Sequence, residues 1–135
     1  MRTLDPPRRD TGGPRVLLTG WGRTAPTAAH AVRPEQPEDV TTLLRERRGA
    51  AGLIARGLGR SYGDAAQCAG GTVLDMTGLD HIGPIDPTTG LVRVEAGANL
   101  HQLLAVTLPQ GWFIPVSPGT RQVTIGGAIA ADIHG

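Results

Sequence analysis

The chain contains no lysine and few cysteines or aromatic residues. All 13 of its basic residues are arginines, scattered along 135 residues, and the formal net charge is only +1. Nucleic-acid-binding proteins usually gather basic residues into one patch or stripe, so this function class is not supported. The absence of lysine also excludes a P-loop nucleotide site, which needs a lysine on the phosphates.

Cysteine chemistry is limited to Cys68. One cysteine cannot form an internal disulfide, and the four histidines have no metal-ligand spacing, so no metal site is expected. Any redox chemistry must then come from a bound cofactor. The first residues lack the apolar core of a signal peptide, and no apolar run reaches membrane-spanning length. We predict a flexible arm over residues 1–15 and one domain over 16–135.

Apolar periodicity and turn-forming residues predict an α+β fold. A short amphipathic helix is expected over residues 38–48, and Asn99 can cap a second helix through residues 100–106. Residues 84–90 are dense in turn formers. Strands are expected at three places, residues 53–55, 72–76 and 91–95. These elements predict a small mixed sheet with flanking helices, and the scarcity of aromatics predicts a core of Val, Ile, Leu and Ala.

The first glycine-rich motif follows a predicted buried strand and reads Ala-Arg-Gly-Leu-Gly-Arg-Ser-Tyr-Gly-Asp over residues 55–64. Glycines let successive N–H groups turn toward an anion because no Cβ intervenes. The motif therefore fits a phosphate cradle, and equally a plain turn between two strands. A Rossmann fingerprint is not met, because Gly63 comes one residue late and residues 64–71 leave no room for a crossover helix.

The second motif reads Pro-Gly-Thr-Arg-Gln-Val-Thr-Ile-Gly-Gly-Ala-Ile-Ala over residues 118–130. Gly126 and Gly127 precede a helical stretch of small residues and would place free N–H groups near a helix start, which favours an anion. A close helix-packing surface is the alternative. Arg56 and Arg121 could offset the charge of a phosphate or lie at the surface.

These two motifs, with Leu-Thr-Gly-Trp-Gly-Arg-Thr-Ala-Pro at residues 18–26 and the final His134 and Gly135, resemble a known family. They are similar to the FAD-binding (PCMH-type) domain of the vanillyl-alcohol-oxidase superfamily, and within it to the branch that oxidises a lipid-linked ribose. The resemblance covers nearly everything after residue 16. It implies the N-terminal portion of such a domain, C-terminally incomplete.

The resemblance implies that both motifs wrap the pyrophosphate of FAD and flank its isoalloxazine ring. Many superfamily members bond FAD covalently through a histidine in the first motif, and Arg60 stands at that place, which implies non-covalent FAD. His134 would lie near the flavin, and no other catalytic residue is implied within the chain. Trp21 and Trp112 are expected to pack rather than stack on the flavin. The implied cofactor-binding residues are Ala55, Arg56, Gly57, Leu58, Gly59, Arg60, Ser61, Tyr62, Gly63, Asp64, Gly119, Thr120, Thr124, Ile125, Gly126, Gly127, His134 and Gly135.

The activity implied by the resemblance is FAD-dependent oxidation of the 2'-hydroxyl of decaprenylphosphoryl-β-D-ribose to the 2'-keto form, in the synthesis of cell-wall arabinan precursors. An NAD-dependent keto-reductase is the implied partner. Another FAD-linked sugar or alditol oxidase of the superfamily, and a non-catalytic α+β module, are the alternatives. The chain is expected to be inactive alone, and to act in the cytoplasm or at the membrane or periplasmic side of the cell envelope, with no signal peptide and no transmembrane segment.

Overall fold

The structure, a computed structural model, describes residues 13–46 and 52–134. Two short 3-10 turns, Met76–Gly78 and Leu108–Gln110, accompany the regular elements. The six strands are β1 (Arg15–Leu18), β2 (Thr27–Val32), β3 (Leu53–Arg56), β4 (Thr72–Asp75), β5 (Ile82–Ile85) and β6 (Val92–Val94). The three helices are α1 (Pro37–Glu46), α2 (Leu100–Thr107) and α3 (Ile125–Ala130). None of the helices in these two ranges is long and apolar enough to cross a membrane.

The strands form two sheets of different pairing. A four-stranded sheet has the order β1-β2-β4-β3, in which β1 is antiparallel to β2 while β2 and β3 are both parallel to β4. Strands β5 and β6 form a separate antiparallel pair. The predicted α+β architecture with small mixed sheets is confirmed.

Part of the core lies at β4, which has a neighbouring strand on each side. Three successive β4 residues are buried, as expected for a strand covered on both faces. Aliphatic and small side chains supply the rest of the core, and no aromatic side chain joins it in the described ranges, so this prediction is also confirmed. The buried apolar residues are Ala29, Val73, Leu74, Leu79, Ile85, Ala98, Leu100, Leu103 and Ala128.

The elements with clear local signals form where the sequence predicts them. The second helix starts with a capping box: the N–H of Gln102 donates to the Asn99 side chain, and the Asn99 N–H donates to the Gln102 side chain, both at 2.9 Å. The left-handed Gly111, at φ 81°, ends the short turn that follows α2. Strands β3, β4 and β6 and helices α1 and α2 are thus confirmed.

Three strands were not predicted, and a fourth, β3, differs from the prediction only in its burial. The sequence predicts no strand at the positions of β1 and β2. Strand β5 includes Pro84 and Ile85, where the sequence predicts a turn. Pro84 fits β5 because it is exposed in a two-stranded ribbon, where a missing N–H costs little. Strand β3 is an edge strand with Ala55 exposed, so the prediction of a buried strand was wrong.

Two predictions fall partly outside the described residues. Most of the proposed arm, residues 1–12, lies there, and β1 begins at Arg15, within the range proposed for the arm. The predicted end of the first helix, at residue 48, also lies outside the described ranges.

Candidate functional site

The two glycine-rich motifs, far apart in sequence, line a single cavity of about 370 Å³. One wall is the loop that leaves the end of β3. The opposite wall is built from residues 123–124, helix α3 and the residues that follow it. The lining residues are Ala55, Gly57, Leu58, Gly59, Arg60, Ser61, Ala65, Ala66, Val123, Thr124, Gly127, Ala128, Ala130, Ala131 and Ile133.

The walls meet where Gly57 lies against Thr124. A Cβ atom on Gly57 would overlap Thr124 Oγ1 and would come within 3.1 Å of the Thr124 Cβ. Thr124 is itself buried, and its hydroxyl caps α3 by accepting a hydrogen bond from the Gly127 N–H at 3.2 Å. Glycine is therefore needed at residue 57 because the two motifs approach each other so closely.

The first motif leaves its main-chain donors free. No backbone N–H from residue 57 to residue 64 donates a hydrogen bond to another group in the part of the chain that the structure describes. The loop is held instead by its carbonyls, since Ser61 and Tyr62 accept from the N–H groups of Trp21, at 2.7 Å, and Gly22, at 3.3 Å. A row of free N–H groups beside a cavity is an arrangement that binds anions.

The second motif differs from its prediction. The N–H of Ile125 donates to Ala98 and that of Gly126 to Ala96, at 2.7 and 2.8 Å, while the Gly127 N–H is used by Thr124. The prediction of free N–H groups at Gly126 and Gly127 was wrong, because a carbonyl of the turn before α2 accepts from Gly126 and the Thr124 hydroxyl accepts from Gly127. Helix α3 contributes a wall of small apolar side chains instead.

Two arginines join the first motif to its neighbours. Arg56 donates from Nη2 to the Thr19 carbonyl at 2.7 Å and from Nη1 to the Ala66 carbonyl at 3.0 Å. Arg60 donates from Nε to the Gln122 carbonyl at 3.1 Å, and its guanidinium carbon lies 4.1 Å from the ring centroid of Trp21. Both terminal nitrogens of Arg56 therefore donate to carbonyls of the protein itself, and Arg60 connects the two motifs.

The structure brings together about half of the sequence-predicted site residues. Those that line the cavity are Ala55, Gly57, Leu58, Gly59, Arg60, Ser61, Thr124 and Gly127. Those that lie outside its lining are Arg56, Tyr62, Gly63, Asp64, Gly119, Thr120, Ile125, Gly126 and His134. Gly135 falls beyond the described residues. Their roles toward a cofactor stay predictions.

Two of the residues outside the lining are prominent at the surface. The Tyr62 side chain is 77% exposed. His134 is exposed and lies 3.4 Å from the Asp132 carbonyl through Nδ1. Arg121, considered as a counter-charge, is exposed as well.

Sequence reasoning missed the small apolar part of the lining. The missed residues are Ala65, Ala66, Val123, Ala128, Ala130, Ala131 and Ile133. A signal for most of them was present, because alanines follow both motifs directly and recur within the second motif itself. Small side chains beside glycine loops leave room for a flat ligand to approach the backbone.

The chemistry of this cavity suits a ligand that is anionic at one part and apolar at another. Its polar groups are free main-chain N–H donors, two hydroxyls and the cation of Arg60, while alanines and Ile133 supply the apolar wall. It has no carboxylate or imidazole in its lining. Within the described ranges, no group of three or more His, Cys, Asp or Glu residues could hold a metal ion.

Comparisons with known sequences point the same way. A family profile described as "FAD binding domain" matches residues 28–135. The chain is 54% identical over 120 residues to decaprenylphosphoryl-β-D-ribose oxidase of Mycolicibacterium smegmatis, a match covering 87% of this chain and 26% of that protein. It is 34% identical over 113 residues to L-gulono-1,4-lactone dehydrogenase of Mycobacterium tuberculosis, covering 82% and 26%. The chain thus spans about a quarter of the length of these relatives.

Solved structures share the fold. A variant of cholesterol oxidase from Brevibacterium sterolicum superposes with a TM-score of 0.74 at 22% identity, over 90% of this chain and 24% of that one. An alkyldihydroxyacetonephosphate synthase superposes with a TM-score of 0.67 at 20% identity, over 81% and 22%. At these identities the likeness concerns the fold alone, and the expected PCMH-type fold is confirmed.

Proposed function

Since this chain belongs to the FAD binding domain family, we propose that it is the cofactor-binding part of an oxidoreductase that oxidises the 2'-hydroxyl of decaprenylphosphoryl-β-D-ribose to a 2'-keto group. The observation that carries the proposal is the 54% identity to a decaprenylphosphoryl-β-D-ribose oxidase over 87% of the chain. The cavity between the two glycine-rich motifs is the proposed FAD site.

The described residues fit the cofactor. The free N–H groups of residues 57–61 would hold the diphosphate, because a row of main-chain donors favours an anion in a partly dry site. The small side chains of Ala128 and Ala131 would leave space for a flat ring against α3. Domain residues 16–135 would thus form the FAD-binding portion.

When bound, FAD supplies the hydride acceptor, and the protein supplies binding, orientation and exclusion of water. Within the described chain, residues 57–61 and Thr124 would orient the cofactor while Ile133 and the alanine wall would keep water from one side. The cavity lining contains no carboxylate, imidazole or other group able to take the proton of a substrate hydroxyl. The base that takes this proton would then lie outside this lining. Because the chain spans only about a quarter of the length of its relatives, we propose that the 135 residues alone are inactive.

Cofactor binding is tested on the complete gene product. We expect a yellow protein with a flavin absorbance band near ~450 nm that stays with the protein through ultrafiltration. A colourless protein that retains no added FAD would contradict the proposal and would favour a non-catalytic α+β module. The same ultrafiltration on the 135-residue chain would measure how much of the site these residues complete by themselves.

The cofactor is proposed to be non-covalent. Arg60 stands where a covalently flavinylated histidine occurs in other superfamily members, and its guanidinium, permanently protonated, has no lone pair with which to bond a flavin carbon. Acid precipitation of the yellow protein should therefore release all flavin into the supernatant. Flavin that remains in the pellet would contradict this part of the proposal.

A second substrate class has its own support. The 34% identity to an L-gulono-1,4-lactone dehydrogenase, over 82% of the chain, favours a sugar-derived substrate without a lipid. Anaerobic bleaching of the flavin discriminates the two: we expect reduction by decaprenylphosphoryl-β-D-ribose and none by L-gulono-1,4-lactone. The opposite result would assign the protein to the lactone-oxidising relatives.

The product suggests a partner and a place. A 2'-keto sugar must be reduced to complete an epimerisation, so we propose an NAD-dependent keto-reductase as partner. Because the proposed substrate is lipid-linked, we propose that both enzymes act at the cell envelope, in the synthesis of arabinan precursors. Oxidation of NADH that requires both proteins and the lipid-linked ribose would support this pairing.

A further inference from the structure

Arg60 joins three segments that are distant in sequence. It lies in the loop after β3, its Nε donates to the Gln122 carbonyl at 3.1 Å, and its guanidinium lies 4.1 Å from the Trp21 ring centroid. Trp21 in turn donates its backbone N–H to Ser61, the next residue of the Arg60 loop, at 2.7 Å. Arginine can stack its planar guanidinium on a ring and donate a hydrogen bond at the same time, whereas the lysine ammonium has no planar group to stack.

The backbone around Trp21 packs tightly against the loop that contains Arg60. A Cβ on Gly20 would overlap the Gly63 carbonyl and would lie 2.7 Å from the Ser61 carbonyl. Gly22 also donates its N–H to the Tyr62 carbonyl, at 3.3 Å. The backbone at Trp21 therefore has a set position beside the Arg60 loop, and the half-exposed ring lies against the Arg60 guanidinium.

The opposite end of the link lies at the other wall of the cavity. Gln122 directly precedes Val123 and Thr124, which line the cavity facing residues 57–61. Arg60 also lines the cavity and is half-buried. A bond from Arg60 to Gln122 thus spans the gap between the two walls of the cavity.

We propose that Arg60 is a positioning residue, and that Trp21 holds its guanidinium so that the bond to Gln122 sets the spacing of the two cavity walls before the cofactor arrives. This inference rests on the proposed function, because its readout is FAD binding. The free N–H groups would then converge at a fixed distance from Thr124, and less binding energy would be lost in ordering the loop.

A simpler role for Arg60 would be to supply positive charge alone. The substitution Arg60→Lys distinguishes this charge role from the positioning role. Lysine keeps the positive charge but has no planar group to lie on the Trp21 ring while an inner N–H reaches Gln122. The positioning role predicts that Arg60→Lys binds FAD as poorly as Arg60→Met. A charge role predicts that Arg60→Lys binds like the unmodified protein.

The experiment measures the FAD dissociation constant of the complete gene product by ultrafiltration and the visible circular dichroism of the bound flavin. We expect Arg60→Met and Arg60→Lys each to raise Kd about tenfold, as loss of a charged hydrogen bond and a cation–π contact implies. Trp21→Leu should raise Kd about fivefold. The double variant Arg60→Met with Trp21→Leu should be no worse than Arg60→Met, because both changes break the same link.

A matched control is Arg93→Met, which removes one positive charge from an exposed position on β6 and should leave Kd and the flavin spectrum unchanged. The inference is overturned if Arg60→Lys restores the original Kd, if Arg60→Met binds like Arg93→Met, or if the effects of the two single variants simply multiply. Should Arg60→Met fail to fold, two conservative variants decide in its place. Arg60→Lys keeps the positive charge, and Trp21→Phe keeps an aromatic ring. An unmodified protein that binds no FAD would instead refute the proposed function.

Discussion

Gly57 and the hydroxyl of Thr124 occupy adjoining space so tightly that a methyl group on residue 57 would overlap Thr124 Oγ1. Gly57 directly follows the last residue of β3, and Thr124 is the N-cap of α3. This contact therefore joins the start of the first motif to the centre of the second. Both residues line the cavity, and its two walls approach each other closely at this contact.

Gly57→Ala tests that contact. Thr124 is buried and cannot move away without losing its cap on α3, so the added methyl should push the two motifs apart. We expect a loss of about 1–3 kcal/mol in the free energy of unfolding, as in other overpacked sites, together with weaker FAD binding. Urea denaturation and ultrafiltration measure the two effects. The control is Gly63→Ala, since a Cβ there meets nothing within 4 Å; equal effects of both substitutions would refute the role given to the contact.

Arg56→Met tests the anchoring of the loop. Its two terminal nitrogens donate to Thr19 and Ala66 from a half-buried position, so the substitution leaves both carbonyls without their charged donor. We expect destabilisation by about 2–3 kcal/mol, from the magnitude of hydrogen bonds to charged groups. Thermal and urea unfolding measure it against Arg93→Met. A loss no larger than that of the control would show that the loop does not depend on Arg56.

Asn99→Ala tests the start of α2. The substitution removes one half of the capping box and leaves the Gln102 N–H without its acceptor. We expect a cost of about 1 kcal/mol in unfolding free energy. Asn99→Ser keeps an acceptor oxygen and should be within a few tenths of a kcal/mol of the unmodified protein. If both substitutions cost the same, the cap is not what stabilises this helix end.

Asp86 gives a prediction about pH. The N–H groups of Thr88, at 2.8 Å, and Thr89, at 3.1 Å, donate to the Asp86 carboxylate and hold its pKa below the ordinary value. Because the pKa is lowered in the folded state, the stabilisation is present above the unfolded pKa of about 3.9 and is lost as pH falls through the folded pKa. An NMR titration should place the Asp86 midpoint below the ordinary value, and Asp86→Asn should remove this part of the acid dependence. A midpoint at or above the ordinary value would contradict the prediction.

The sequence predicted elements whose signals are local. Asn99 with Gln102 three residues later defines the start of α2 wherever the helix packs. Strands β1 and β2 were missed because their burial comes from pairing: β2 is rich in alanine and becomes a strand by lying between β1 and β4. Strand β5 was missed because Pro84 signals a turn unless the strand has an exposed edge.

By itself, the sequence determined the α+β class, the two glycine-rich motifs and their likeness to FAD-binding domains, since these depend on composition, caps and residue order along one segment. Only the tertiary structure decided which main-chain donors are free. The N–H groups of Gly126 and Gly127 are taken by Ala96 and Thr124, while those of residues 57–64 have no acceptor among the described residues. A donor is free or taken according to which carbonyl or hydroxyl the folded chain places beside it, and no local pattern specifies that neighbour.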